Sequence, residues 1–444
     1  MIRWLCANLL VLTAMLLMTD ITRADGDLPP LPYADDRIHV GVATCAGSDC
    51  HGAAAPLEDS AVQQNEYLIW SQRDAHSNAY QLLLSGAGQR IAANLGLEHA
   101  HEAQQCLSCH THFVPEDQRG RRFQAADGVG CEACHGGAGD WLGTHIAGAS
   151  REENLAAGLY PLDEPEMRAR VCLSCHMGNA DKPVHHRLMG AGHPELWFEL
   201  DLFTDIQPAH FQATSAYRQR KHYSHNLRTW AIGQILAAEQ YLEGLLSEDF
   251  SQQGLFPELA YFNCAGCHNP MRPPRWEPAL AGQLGPGSPR LADAHLRMSA
   301  HVLAVIDTDS AERWRQLLSE MQALTTESLS AVKQSAQALR GELSAIRPAL
   351  YQHAFSRNDA LAILASVLDS AQTRDAADPA MARQVYAAAA AIAGYLHLEH
   401  QNDISALDDA LGGLFETLQT PYTYEPAQFR AALDEVQSAA EALD

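Results

Sequence analysis

Four segments of the chain share one pattern, in which two cysteines are separated by two residues and a histidine follows directly. They are Cys106-Leu107-Ser108-Cys109-His110, Cys131-Glu132-Ala133-Cys134-His135, Cys172-Leu173-Ser174-Cys175-His176 and Cys264-Ala265-Gly266-Cys267-His268. This is the attachment pattern of haem c, in which two thiols form thioethers and the adjoining histidine is the proximal iron ligand. A zinc ribbon does not need a histidine after every pair, and a thioredoxin-like motif would occur once, in a βαβ unit. The pattern therefore predicts four covalently bound haems.

A fifth segment has a wider spacing. Cys45 and Cys50 are separated by four residues, and His51 follows directly. Apart from Cys6, near the start of the chain, these are the two cysteines that the four regular motifs leave over. A disulfide closing a short loop and a zinc half-site are the alternatives. Because a longer loop can bulge away from the porphyrin, we interpret Cys45, Cys50 and His51 as a fifth haem site, with His51 proximal.

Histidines also supply the candidates for the second axial ligand of each iron. Low-potential multihaem proteins commonly use a histidine there, and the chain has 22 histidines. The sequence setting favours five histidines as distal ligands. Each lies on a predicted amphipathic helix, after a glycine-rich turn, in an irregular Gly/Pro loop or at a helix start. They are His76, His145, His186, His193 and His225.

Other histidines are assigned lesser roles. His185 is an alternative to His186 as a distal ligand. His112 is an alternative ligand for a neighbouring haem, although it cannot reach the far side of the haem attached at Cys106 and Cys109. The sequence predicts surface or supporting roles for a further set: His99, His101, His210 and His222. Histidines of the C-terminal region are predicted to be solvent-exposed or core residues.

Three segments together resemble the cytochrome c-552/c-554 family of exported multihaem cytochromes: WSQRDAHSNAYQLLL, GVGCEACHGGAGDWLGTHI and CLSCH. The resemblance covers roughly residues 38–200, and later segments resemble a pentahaem branch with an added haem. It implies electron transfer through haems stacked in close pairs, with His76 and His145 as distal ligands and His193 as a good candidate. In the tetrahaem type one haem lacks a distal protein ligand, and the resemblance makes the Cys106/Cys109 haem the candidate for that open position.

The patterning predicts a mainly α fold in two parts. Residues 25–283 are expected to form a pentahaem cytochrome c domain with short helices, long loops and a haem-packed core. A Pro/Gly-rich linker follows at Met271 to Arg290, and residues 284–444 are expected to form an antiparallel helical bundle. We interpret the bundle as a cap, with a docking or oligomerisation surface as the alternative.

Helical periodicity locates individual elements. It predicts a helix from Tyr223 to Phe250 and an apolar stripe from Leu329 to Ile346 that Pro348 ends. Further helices are predicted in three C-terminal segments: Leu361 to Leu368, Ala382 to Leu398 and Pro426 to Leu443.

The first 24 residues have the features of a secretory signal peptide. Arg3 supplies a positive charge, Leu5 to Met18 is apolar but short for a membrane span, and small residues precede a predicted cleavage after Ala24. An uncleaved anchor is the alternative. No later segment is apolar enough to span a bilayer, so we expect a periplasmic or otherwise exported protein without a membrane span in its mature chain.

The charge balance narrows the class of partner. The chain has 444 residues, a formal net charge of −24 and no basic tract. This argues against nucleic-acid binding, which needs Lys and Arg on phosphates, and favours redox partner proteins with basic docking surfaces. The sequence does not define the oligomeric state.

The preferred function is electron transfer through about five mostly bis-histidine haems, and no catalytic residue is identified. The alternative is a redox enzyme acting on a small nitrogen or sulfur oxyanion or oxide at one open haem. No motif marks a lysine or tyrosine ligand for such a haem, so the sequence gives no basis for choosing Tyr261 or Lys182. A structural unit of a haem filament or an outer-membrane conduit is a third hypothesis.

Overall fold

The structure, a computed structural model, describes residues 28–57, 60, 62–251, 257–268, 284–285, 287–373, 375–419 and 423–443. The predicted signal peptide (1–24) lies outside the described residues, as does most of the predicted linker at 271–290. Leu31–Asp444 forms one compact unit.

Short helices joined by long loops carry four of the five cysteine segments. The first twelve helices are α1 Val42–Cys45, α2 Glu66–Arg73, α3 Ala79–Leu84, α4 Gly86–Leu95, α5 Gln104–His110, α6 Glu132–His135, α7 Leu142–Ile146, α8 Arg151–Ala156, α9 Pro165–His176, α10 His186–Gly190, α11 Leu200–Ile206 and α12 Ser215–Arg220. The predicted helix around His76 is broken, because α2 ends at Arg73 and a 3₁₀ turn, Ala75–Asn78, separates it from α3.

Ten further helices follow among the described residues, and most of them are longer. They are α13 Asn226–Leu246, α14 Glu248–Ser251, α15 Cys264–Cys267, α16 Ala294–Ile306, α17 Thr308–Ala323, α18 Leu329–Gln352, α19 Arg357–Thr373, α20 Pro379–His400, α21 Ser405–Glu416 and α22 Pro426–Glu441. The described residues contain only two isolated β-bridges, His39 with Arg119 and Phe262 with Leu291. The prediction of a mainly α fold is confirmed.

Pro348 does not end its helix, contrary to the prediction. Helix α18 continues through it to Gln352. Proline lacks the N–H that would bond the carbonyl of Ser344, but both residues are exposed, so water can satisfy that carbonyl. Beyond the proline, Arg228 donates to the carbonyls of Tyr351 and His353 at 2.7 and 3.1 Å, which secures the end of the helix.

Helix α13 lies at the centre of the main apolar core. It is buried over most of its length, with Leu227, Trp230 and Ile235 at 1% exposure or less, and it packs against α9, α11, α16, α18 and α20. One buried cluster extends from Ala169 to Val436, so residues on both sides of 283 share it. The boundary between a haem domain and a helical domain at residue 283 stays a prediction. Among the described residues, no helix is long and apolar enough to cross a membrane.

Candidate functional site

The cysteines of the five segments are all free thiols, so Cys45 and Cys50 do not form the disulfide considered as an alternative. Their longer loop forms a turn, in which the Cys50 amide donates to the Gly47 carbonyl at 2.9 Å. The His51 amide then donates to the Cys45 carbonyl at 3.1 Å. The additional residues therefore form a local bulge, and His51 directly follows Cys50 as the histidine does in the regular motifs.

Four motif histidines each face a second histidine from a distant part of the chain. The distances between ring centroids are 6.0 Å for His51 and His145, 6.1 Å for His176 and His76, 6.3 Å for His110 and His193, and 6.1 Å for His268 and His186. All four partners belong to the set predicted from the sequence as distal ligands. The sequence did not predict which partner belongs to which motif.

These separations fit one metal ion between the two rings of each pair. Because a metal–imidazole bond is about 2 Å long and the ring centre lies about 1.2 Å behind its nitrogen, imidazoles on opposite sides of one ion have centres about 6.4 Å apart. The observed values, 6.0–6.3 Å, agree with this geometry. The residues present are therefore compatible with a haem iron bound by two histidines at each pair.

Carboxylate and backbone carbonyl oxygens orient several of the paired rings. The Nδ1 atom of His51 lies 3.0 Å from Glu66 Oε2, and that of His110 lies 2.9 Å from the Ala79 carbonyl. His193 makes the same kind of contact with the Pro194 carbonyl at 2.8 Å. An N–H at Nδ1 held by an oxygen leaves Nε2 as the lone-pair donor, which is the usual arrangement around metal-ligating histidines.

His76 is held by a network centred on Asp74. The Asp74 carboxylate accepts hydrogen bonds from the His76 amide at 3.0 Å and from Gln207 at 2.8 Å, and its Oδ1 lies 2.9 Å from His76 Nδ1. The Val129 amide donates to the His76 carbonyl at 2.9 Å. Gly128 has φ of 75°, and a Cβ there would lie 2.5 Å from that carbonyl, so the close approach requires glycine.

Glu258 positions the segment that faces His268. It accepts a hydrogen bond from the His186 amide at 2.6 Å and lies 3.2 Å from His185 Nδ1. Although burial opposes the shift, these two contacts lower the pKa of Glu258 to about 2. His185 is therefore engaged by a carboxylate, and the ring of His186 lies opposite that of His268.

The remaining motif histidine, His135, is half-buried and has a histidine neighbour that the sequence did not select. Burial, followed by the nearby His210, lowers the pKa of His135 to about 3. The ring of His210 hydrogen-bonds to the Pro208 carbonyl, and the same segment is tied to Asp74 through Gln207. His210 lies in a loop without helical periodicity, where only the tertiary structure identifies it.

His225, predicted as a distal ligand, has a different environment. Its Nδ1 accepts the Arg228 amide hydrogen at 3.2 Å, which caps the N-terminus of α13. Its ring lies 4.5 Å from that of Tyr395 and 6.4 Å from that of Phe355. The structure thus places His225 against the C-terminal helices in a capping role, and it brings the ring to none of the described motif histidines.

Thiols of different motifs contact each other in two places. The Cys45 thiol lies beside that of Cys131, and the Cys109 thiol lies beside that of Cys175. The first and third attachment segments are therefore adjacent, and so are the second and fourth.

Lys182 lies beside the fourth segment. Its Nζ lies 3.2 Å from Cys175 Sγ and 3.9 Å from the centre of the Tyr33 ring, and the residue is 8% exposed. Tyr33 is fixed by an Asn179 donor at 2.8 Å and by Asp181, to which its hydroxyl donates at 3.0 Å. This arrangement places a buried positive charge at a cysteine attachment point.

Comparison with known proteins agrees with this geometry over part of the chain. Residues 44–136 match the family described as cytochrome c554 and c-prime, a range that includes three of the five cysteine segments. No curated protein and no solved structure matches the chain.

Proposed function

We propose that the protein transfers electrons through five haems, each with two axial histidines, and the proposal starts from the match of residues 44–136 to the family described as cytochrome c554 and c-prime. A match to this family implies covalently bound haem c. The observation that carries the proposal is the set of four histidine pairs at 6.0–6.3 Å, each joining one motif histidine to one from elsewhere.

The proposed axial pairs use ten of the 22 histidines. They are His51 with His145, His110 with His193, His135 with His210, His176 with His76 and His268 with His186. The fifth pair rests on the proximity of His210 to half-buried His135, and it replaces the predicted role of His225. The haem of Cys106 and Cys109 receives His193, which argues against the open position that the resemblance suggested for it.

Haem c with two histidine ligands supplies reversible one-electron oxidation and reduction of its iron. The protein residues determine where this chemistry takes place. The cysteines hold each group covalently, while Glu66, Asp74 and the Ala79 carbonyl fix ring orientation through Nδ1. With side chains in both axial positions, each haem would offer a substrate no open position to bind, which disfavours the redox-enzyme alternative.

Adjacent attachment segments support transfer between sites. The thiol contacts of Cys45 with Cys131 and of Cys109 with Cys175 indicate that two pairs of haems are close neighbours. The net charge of −24 favours encounter with basic redox partners, since a strong charge asymmetry raises association rates at low ionic strength. Family members are typically exported, and we propose a periplasmic location for this protein.

The number of haems is tested by intact-mass spectrometry and a pyridine haemochrome assay of the purified protein. We expect five haems per chain, and four in a Cys45→Ala/Cys50→Ala double variant. Ser48→Ala, in the same loop, is the matched control and keeps five. Four haems in the unmodified protein, with Cys45 and Cys50 free, would contradict the assignment of the first site.

A further inference from the structure

A second kind of site lies beside the third haem segment and uses none of the proposed haem ligands. It consists of His39, His112 and Glu132, whose side chains are buried at 0%, 6% and 3% exposure. One ligand atom from each residue lies within 4.8 Å of the others. We propose that these three side chains bind one divalent transition-metal ion.

The two imidazoles have the spacing of neighbouring ligands on one ion. Their ring centroids lie 4.6 Å apart, with planes inclined by 82°. With metal–nitrogen bonds of about 2 Å, two imidazoles about 90–110° apart on one ion have ring centres about 4.5–5.2 Å apart. The pair therefore differs from the haem-type pairs, which lie across an ion from each other.

Ring nitrogens in this cluster lack hydrogen-bond partners. Among the described residues, neither ring nitrogen of His39 is hydrogen-bonded, and neither is Nε2 of His112. His39 Nε2 lies 3.3 Å from Asp35 Oδ1, but without hydrogen-bond geometry. Leaving a buried polar atom unpaired costs stability, and a shared metal ion would remove that cost for both histidines.

The Glu132 carboxylate is held by three backbone amides and has one acceptor position free. Its Oε1 accepts the amide hydrogens of Val40 and Ala138, both at 2.8 Å, and its Oε2 accepts that of Gly41 at 2.7 Å. Each carboxylate oxygen can accept two hydrogen bonds, so Oε2 keeps one free lone pair. This lone pair completes a set of two nitrogens and one oxygen.

The donor set indicates the class of metal. Two imidazoles and one carboxylate suit Zn²⁺ and similar divalent ions, whereas Ca²⁺ and Mg²⁺ prefer all-oxygen sites. The ion would connect three segments. His39 precedes the first haem motif, His112 follows the second and Glu132 lies within the third, so the site would brace the attachment region without taking part in electron transfer.

The test uses haem-loaded protein treated with a chelator and then dialysed against Zn²⁺. We expect one zinc per chain by elemental analysis, in addition to the haem iron, and X-ray absorption at the zinc edge showing two imidazole nitrogens. A His112→Gln variant should bind Zn²⁺ at least about tenfold more weakly, since loss of even an outer partner costs about 10–100-fold. His99→Gln, at a partly exposed histidine, is the control and should leave zinc binding unchanged.

Two results would overturn the proposal. One is the absence of stoichiometric zinc in the unmodified protein, as expected if haem carboxylates satisfy these rings instead. The other is a zinc absorption spectrum without two imidazoles. Because the absorption measurement needs no variant, misfolding of His112→Gln cannot obscure the answer, and the haem count is measured independently.

Discussion

The imidazole rings of His51 and His145 face each other with centroids 6.0 Å apart and planes inclined by 13°. This separation matches that of two imidazoles bound on opposite sides of one metal ion. His51 belongs to the cysteine segment with the irregular spacing, and His145 follows the regular Cys131 segment by ten residues. The irregular segment therefore pairs its histidine with a second one in the same way as three of the four regular segments.

Replacing His145 with alanine should open one axial position. We expect one haem in five to change from low-spin to high-spin in the oxidised protein, because the alanine side chain has no donor atom. Electron paramagnetic resonance measures the change. The His99→Ala control should retain the spectrum of the unmodified protein, and an unaltered spectrum in His145→Ala would exclude His145 as a ligand.

His210 and His225 give opposite results in the same experiment. His210→Ala should convert one haem to high spin, because His210 is the proposed partner of His135. His225→Ala should leave every haem low-spin and lower the free energy of unfolding by about 1 kcal/mol, the typical cost of losing a helix N-cap. A high-spin haem in His225→Ala, with none in His210→Ala, would restore the assignment made from the sequence.

Lys182→Met should lower the reduction potential of one haem. The Lys182 ammonium lies 3.2 Å from Cys175 Sγ and is 8% exposed, so its charge disfavours the more positive oxidised state. Loss of that charge should lower the potential on the order of tens of millivolts. Lys333→Met on α18, where the ammonium bonds the carbonyls of Leu246 and Ser247, is the control. Unchanged potentials in Lys182→Met would show that this charge does not affect the haem.

Glu199 should make the stability of the protein depend on pH. It is 1% exposed, and burial raises its pKa from 4.5 to about 7, with Asp201 and Asp205 close by. The folded state therefore holds this proton more tightly than the unfolded state. The stabilisation is complete below about pH 4.5 and is lost as the pH rises through about 7, a change on the order of 3 kcal/mol.

Denaturant unfolding followed by circular dichroism, at about pH 5 and about pH 8, measures this dependence. Glu199→Gln should reduce the difference between the two conditions. Glu152→Gln, whose carboxylate is 78% exposed, should leave it unchanged. Equal dependence on pH in all three proteins would show that Glu199 does not hold the proton.

The sequence predicted the cysteine segments and four of the five proposed distal histidines, because those features are local. Spacing identified the motifs, and His145 and His186 lie in short segments whose composition is distinctive. His210 was not selected because its role depends on contacts such as Gln207 with Asp74, which join residues more than a hundred positions apart. The pairing of ligands is a tertiary property for the same reason.

The secondary structure was likewise predicted where the signal is local and missed where it depends on surroundings. Apolar periodicity predicted the long helix now seen as α13, and the C-terminal helices α19, α20 and α22. Pro348 was expected to end α18, but its exposed position lets water replace the missing hydrogen bond. The helix around His76 was expected to be continuous, yet Asp74 bonds the His76 amide and produces the 3₁₀ turn that orients the ring.

Electron paramagnetic resonance of the fully oxidised, unmodified protein tests the central claim most directly, with the spectrum recorded before and after addition of nitric oxide or nitrite. If all five irons have two histidine ligands, every ferric haem is low-spin and neither addition changes the spectrum. One high-spin haem per chain that responds to either molecule would contradict the account, because it would reveal an open axial position and favour a redox enzyme.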